Sequence, residues 1–205
     1  MNQNGASNGN HPSQYVVYGS LTVTGRDTPL IAIRSGVPTG FRKIVNQGGG
    51  QWYYEFSFDG AYGASATVDW YLFDRPPATG GYGIRIKDAS NREVFNSNNR
   101  YMRPKAFVTI PTGQPTARTT PWDYTGLPLG TYAYIPATNR MMQYSYLIFD
   151  DYFGNSQLVD GCQALTNGVR IAPAPVSTYD PYFGGTGFIP ASREGFVTII
   201  DVGGY

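Results

Sequence analysis

The chain is poor in the residues from which most active sites are assembled. Its single cysteine, Cys162, excludes an internal disulfide, and its single histidine is His11. His11 precedes Pro12 in a polar leading segment, whereas a triad base or zinc ligand needs a histidine held in a cleft. Charged residues make up 14% of the 205, against roughly 25% in an average domain. A net charge of +1 leaves no clustered Lys and Arg for a phosphate track, so nucleic acid is not an expected partner. No run reaches the ~18 apolar residues of a membrane span. No window of about eleven residues shows a capped 3.6-residue stripe, so no long helix is expected.

Aromatic residues, by contrast, reach 15%, with 17 Tyr and 11 Phe. The 26 Gly and 15 Pro make one fifth of the chain, against roughly 12% in average usage. That combination describes many short strands and turns, with surfaces solvated by Ser, Thr, Asn and Tyr. The length suits one large β domain or two small ones, and a single core is feasible because burial on folding is already efficient at about 150 residues. The expectation is an all-β, antiparallel, jelly-roll-like sandwich over 15–205 with long Gly/Pro/Tyr-rich loops. Residues 1–14 are too polar to pack and read as a flexible arm with no signal-peptide core, which points to folding in a reducing cytoplasm.

Strand signals recur at close intervals. In 15–24, Leu21 and Val23 alternate with Thr22 and Thr24, and short apolar runs follow at 30–34 and 41–45. The clearest strand puts Trp52, Tyr54, Phe56 and Phe58 on one face and Tyr53, Glu55, Ser57 and Asp59 on the other. Over 66–73, Val68, Trp70 and Leu72 oppose Thr67, Asp69 and Tyr71. Further strands are expected at 105–110, 131–135, 141–149, 157–159, 168–172 and 195–202. The Pro-rich stretch 111–130 reads as a long loop or a linker, with a subdivision of the domain there as one reading. The stretch 173–190, rich in Gly, Pro and Tyr, reads as irregular.

Catalytic patterns are missing. Cys162 lies in Asp160-Gly161-Cys162-Gln163 with no base beside it and reads as a small buried residue. Gly48-Gly49-Gly50 lacks the Lys-Ser/Thr of a phosphate loop and reads as a turn. Asp150, Asp151 and Asn155 do not follow calcium-loop spacing and read as a hairpin turn. The 14 acidic residues are spread over turns, and no pair can be nominated for glycoside hydrolysis. Neither catalysis nor a cofactor or metal is expected. Exposed aromatics are the better signal, since Tyr and Trp give large contact area at low entropic cost on protein or sugar surfaces. Tyr62, Trp122, Tyr124, Tyr179, Tyr182 and Phe183 fall in predicted loops. They are candidate interface residues, with local packing over the sandwich ends as the alternative.

The most legible local unit runs from 82 to 104. Tyr82, Ile84 and Ile86 alternate with Gly83, Arg85 and Lys87, which assigns Ile84 to a buried face and predicts that Ile84→Asp prevents stable folding. Asp88-Ala89-Ser90-Asn91 is turn chemistry, and Arg92-Glu93-Val94-Phe95 returns as the second arm. Asn91→Gly should be tolerated.

This unit belongs to an ordered set: Pro29-Leu30-Ile31-Ala32-Ile33-Arg34-Ser35, Phe56, Val68-Asp69-Trp70-Tyr71-Leu72-Phe73-Asp74, then 81–97 and Arg100-Tyr101-Met102-Arg103. Over about 19–110 that set resembles tail-tip proteins of long-tailed, siphovirus-like bacteriophages, whose hairpin line runs Gly-aromatic-Gly-apolar-x-apolar-x-Asp-Ala-x-Gly-x-x-apolar-Phe-Asp-Ser. This chain has Asn91 in place of that Gly and Asn96 in place of that Asp; Asn tolerates left-handed backbone angles. The resemblance implies a virion structural protein of the tail tip or baseplate, present in several copies and contributing to host attachment. Its partners would be other tail proteins and further copies of itself, with a host receptor or glycan at the surface. A protein made in the host cytoplasm and released at lysis would combine a reducing origin with a Tyr/Gly/Asn-rich exterior. The alternatives from other classes are a lectin-like receptor-binding module and, behind it, a glycan-degrading enzyme. Residues 111–205 carry no resemblance.

Overall fold

A computed structural model of the chain describes residues 2–3, 16–59, 66–74, 84–91, 93–96, 101–117, 119–136, 140–149, 152–183 and 187–205. In chain order the strands are β1 (Asn2–Gln3), β2 (Val16–Val23), β3 (Leu30–Ser35), β4 (Thr39–Gly48), β5 (Gln51–Asp59), β6 (Val68–Phe73), β7 (Arg85–Lys87) and β8 (Glu93–Asn96). They continue with β9 (Pro104–Ile110), β10 (Trp122–Thr125), β11 (Tyr132–Pro136), β12 (Met141–Phe149), β13 (Tyr152–Leu165), β14 (Gly168–Phe183), β15 (Gly187–Ile189) and β16 (Gly195–Asp201). The protein is all-β, and its strands pair antiparallel as a sandwich.

One sheet of nine strands runs β1-β2-β5-β4-β13-β12-β15, with β14 on β13 and β10 on β14; the facing sheet of five runs β6-β3-β11-β16-β9. Strands from both sides of 111–130 pair within the same two sheets. That stretch is not irregular throughout, because Trp122–Thr125 docks along Gly168–Ile171 as β10.

Alternation explains the main core. Tyr54 and Phe56 of β5 meet Ile31 and Ile33 of β3, Tyr132 and Tyr134 of β11, and Val197 and Ile199 of β16. These side chains occupy the inner register of both sheets, as period-2 patterning requires. The five-stranded sheet departs from the simple pattern, because part of its outer face is apolar as well. Ala32, Ala133, Ile135, Ile200 and Val202 are buried there against Tyr71, Phe73 and Met102. Tyr205 caps this second cluster edge-on to Tyr71 and Phe73, at 6.2 and 5.9 Å between ring centres. Tyr71, on the face of β6 opposite Val68, Trp70 and Leu72, is therefore a packing residue.

The Pro-rich stretch 173–190 also differs from expectation: Gly168–Phe183 is one strand of sixteen residues. Pro173 and Pro175 are opposite Asp160 and Leu158 of β13, while β10 covers only Gly168–Ile171 on the other side. Beyond Ile171, that side of β14 has no strand partner among the described residues. Proline is tolerated on such an edge because no ladder bond needs its absent N–H.

Candidate functional site

Two surfaces stand apart from the packed core. The first is the hairpin of β7 and β8, which forms a two-stranded sheet of its own. Its turn follows from the side chains. Asp88 Oδ1 accepts from the Ser90 N–H at 2.9 Å, Asp88 O accepts from the Asn91 N–H at 2.9 Å, and Asn91 takes φ 61°. Lys87 Nζ donates to Asn91 Oδ1 at 3.0 Å. The register slips between Ile86 and Lys87, as in a turn closed by a left-handed residue and a bulge. The face assignment made from alternation is overturned, since Ile84 is 68% exposed and Ile86 is 53% exposed. Among the described residues the two strands form a sheet of their own, and a two-stranded sheet gives little cover to an apolar face. Tyr82 lies outside the described residues.

The second surface is a cleft of about 680 Å³ at the side of the sandwich, lined by Tyr18, Gly19, Ser20, Leu21, Arg42, Tyr53, Glu55, Phe56, Val68 and Trp70. Four consecutive residues of β2 line it, so it runs along that strand's edge. Val68 and Trp70 of β6, the edge strand of the other sheet, line its inner side with Phe56, whereas Tyr53 and Glu55 point to the opposite face of β5. Trp70 pairs in register with fully buried Ile33 yet is 48% exposed.

The polar wall is organised by a bulge. Phe41 pairs with Phe56 and Lys43 with Glu55, which leaves Arg42 as the extra residue and re-aims it. Arg42 forms an ion pair with Glu55, donates from Nε to Val176 O at 2.9 Å, and lies 4.6 Å over the Tyr18 ring. Tyr53 donates to Glu55 Oε2 at 2.8 Å. Partial burial pushes the Glu55 carboxyl up, but hydrogen bonds from Arg42 and Tyr53 outweigh it and hold the group below its ordinary value. Glu55 is therefore an anion at neutral pH, balanced by Arg42.

Of the six candidate aromatics, Trp122 and Tyr124 are strand residues, not loop residues. They are opposite Ile171 and Val169 and pack half-buried against the main core. Their area is largely committed to the fold. Tyr179, Tyr182 and Phe183 lie at the far end of β14, opposite Asn155, Phe153 and Tyr152, and their side chains lie outside the described residues. Tyr62, Asp150 and Asp151 lie outside them too. Cys162 is buried, and burial pushes its thiol well up, which disfavours the reactive thiolate. Among the described residues no group of three His, Cys, Asp or Glu could hold a metal ion, and no helix is long and apolar enough to cross a membrane.

Sequence reasoning did not single out Tyr18, Arg42, Glu55 or Trp70 as a group. Alternation placed Tyr53 with Glu55 on one face, but neither the bulge at Arg42 nor the exposure of Trp70 has a local signature.

Fold and surfaces together define a β-sandwich protein with a cleft along the edge of β2 and a two-stranded hairpin that exposes Ile84 and Ile86. No protein-family model, curated protein or solved structure matches the chain.

Proposed function

We propose that this chain is a structural subunit of the tail tip or baseplate of a long-tailed bacteriophage, present in several copies and contributing to host attachment. The observation that carries the reading is the β7–β8 hairpin. It lies in the segment with the tail-tip resemblance, forms a separate two-stranded sheet, and exposes Ile84 and Ile86. An isolated two-stranded hairpin is marginal in water, so a neighbouring subunit that covers these side chains would stabilise it. Phe107 and Phe196 add a second apolar site on the outer face of the five-stranded sheet, at 80% and 46% exposure. The role needs no catalytic residue, no cofactor and no nucleic acid. It makes the protein a virion component built in the host cytoplasm, with other tail proteins and its own copies as partners.

Antibody labelling of purified particles tests the reading. Label confined to the distal tail supports it, and absence of the protein from particles overturns it.

A further inference from the structure

We infer that the edge of β9 pairs with the same edge of a second copy, antiparallel about a twofold axis at Val108. The inference concerns the chain in solution and stands apart from the particle role.

β9 ends the five-stranded sheet, and among the described residues no strand pairs with its other side. A sheet edge presents a row of backbone donors and acceptors, which proteins blunt with proline, lysine or a bulge. Here the blunting is confined to one end. Ile200 pairs with Pro104 and Ile199 with Ala106, so Lys105 is the bulged residue, and its Nζ lies 3.5 Å from Asp201 Oδ2. Residues 106–110 then follow in unbroken register with 195–199 and carry no charge.

The side chains select the partner. Val108 and Ile110 point into the main core, which puts Phe107 and Thr109 on the outer face. There Phe107 stands opposite Thr198, and Thr109 opposite Phe196. Phe107 is 80% exposed and Phe196 46%. A twofold at Val108 sets Phe107 of each copy opposite Thr109 of the other, repeating the Phe–Thr pairing already made between β9 and β16. The two Phe107 rings become diagonal neighbours, and with both Phe196 rings they form one zigzag apolar row across four strands. Charge does not oppose this, because the two Lys105 would lie about 20 Å apart along the strands, at opposite ends of the joint. Any extended strand could meet the backbone, but a second copy brings the matching Phe-x-Thr spacing with it. The exposed rings offer on the order of 200 Å² per copy, so even with the strand edges the joint falls short of the ~1,200 Å² of a stable interface, and the dimer is a weak one.

Sedimentation equilibrium of the full chain between about 10 µM and 1 mM should show a dimer with a Kd of about 0.1 mM. Phe107→Asp should weaken it by about tenfold or more and leave the unfolding midpoint in place. Cross-linking reads the register. Cys162 is buried, so an introduced surface thiol is the one that oxidises. Mixing a Phe107→Cys chain with a Thr109→Cys chain sets the two thiols directly opposite, with Cβ atoms about 4.5–5.5 Å apart. Either variant alone holds them on a diagonal of about 7–8 Å, beyond disulfide reach. Disulfide-linked dimer should therefore form in the mixture and not in either variant alone. A monomer at every concentration overturns the inference and leaves the particle role untouched. Association that Phe107→Asp leaves intact overturns it too, as does a mixture that forms no link. Linking of either variant with itself as readily as in the mixture overturns the twofold at Val108.

Discussion

Arg140 has no exposed surface, and five bonds hold its guanidinium. Nε and Nη2 donate to Asp160 at 2.7 and 2.8 Å, and the carbonyls of Pro111, Arg193 and Gln114 accept the rest at 3.1, 3.1 and 2.7 Å. One side chain thereby joins the start of the 111–130 connection and the entry to β16 to the middle of β13. Gly195 makes the room, since a Cβ there would lie 2.6 Å from Arg140 Nε. Removing one partner strands the other as a buried charge, so Arg140→Met should cost about 3–5 kcal/mol in urea unfolding. Adding Asp160→Leu should recover part of that loss. If Arg140→Met alone unfolds at the wild-type midpoint, the pair does not hold these segments. Nothing local distinguishes Arg140 from a surface arginine, because its partners come from positions up to 53 residues away. Asn91 is the opposite case. Its left-handed backbone was legible from turn chemistry alone, and Asn91→Gly should shift stability by less than about 1 kcal/mol.

Among the elements, β10 is held by a contact that pattern reading could not supply. Gly168 lies so close to it that a Cβ would be 1.8 Å from Tyr124 O, and backbone cannot yield to a methyl group at that distance. Gly168→Ala should therefore displace β10 and cost more than about 2 kcal/mol, toward the upper end of ordinary single substitutions. Asp123 and Arg170 face each other across the same pair, joined by two bonds of 2.8 Å. Those bonds hold the Asp123 carboxyl below its ordinary value against a smaller opposing effect of burial. With the folded value depressed, the stabilisation is complete above the unfolded value of about 3.9 and is lost as pH falls through the folded one. Hydrogen-exchange protection of β10 should be level above about pH 4 and decline below it, and Asp123→Asn should flatten that decline. An unchanged profile in Asp123→Asn would assign the decline to another group. Prolines marked 111–130 and 173–190 as breaks, whereas β10 and the long β14 occupy parts of both. Proline excludes a donor at one position but not a strand whose unpaired side receives it.

For the whole molecule, the question is which apolar surface stays outside. Ile84, Ile86, Phe107 and Phe196 are exposed in the single chain, on two separate surfaces. Self-association is the expected outcome at rising concentration, and it should resist salt because apolar contact is not screened. Ile84→Asp should fold with a stability change within about 0.5 kcal/mol, as surface substitutions do. It should also lower the association measured by analytical ultracentrifugation, and association equal to wild type would remove the hairpin from the interface. This reverses the consequence drawn from alternation for Ile84, and the reason is general. A period of two separates the two faces of a strand without saying which is covered. The chain alone was enough for the all-β class and for the individual strands Val16–Val23, Gln51–Asp59 and Gly195–Asp201, because alternation and turn residues act over a few positions. The roofing of Tyr71, the exposure of Trp70, the burial of Arg140 and the union of Arg42 with Val176, 134 positions apart, were decided by tertiary packing. Burial depends on which distant strand arrives at a face, and no local pattern encodes that.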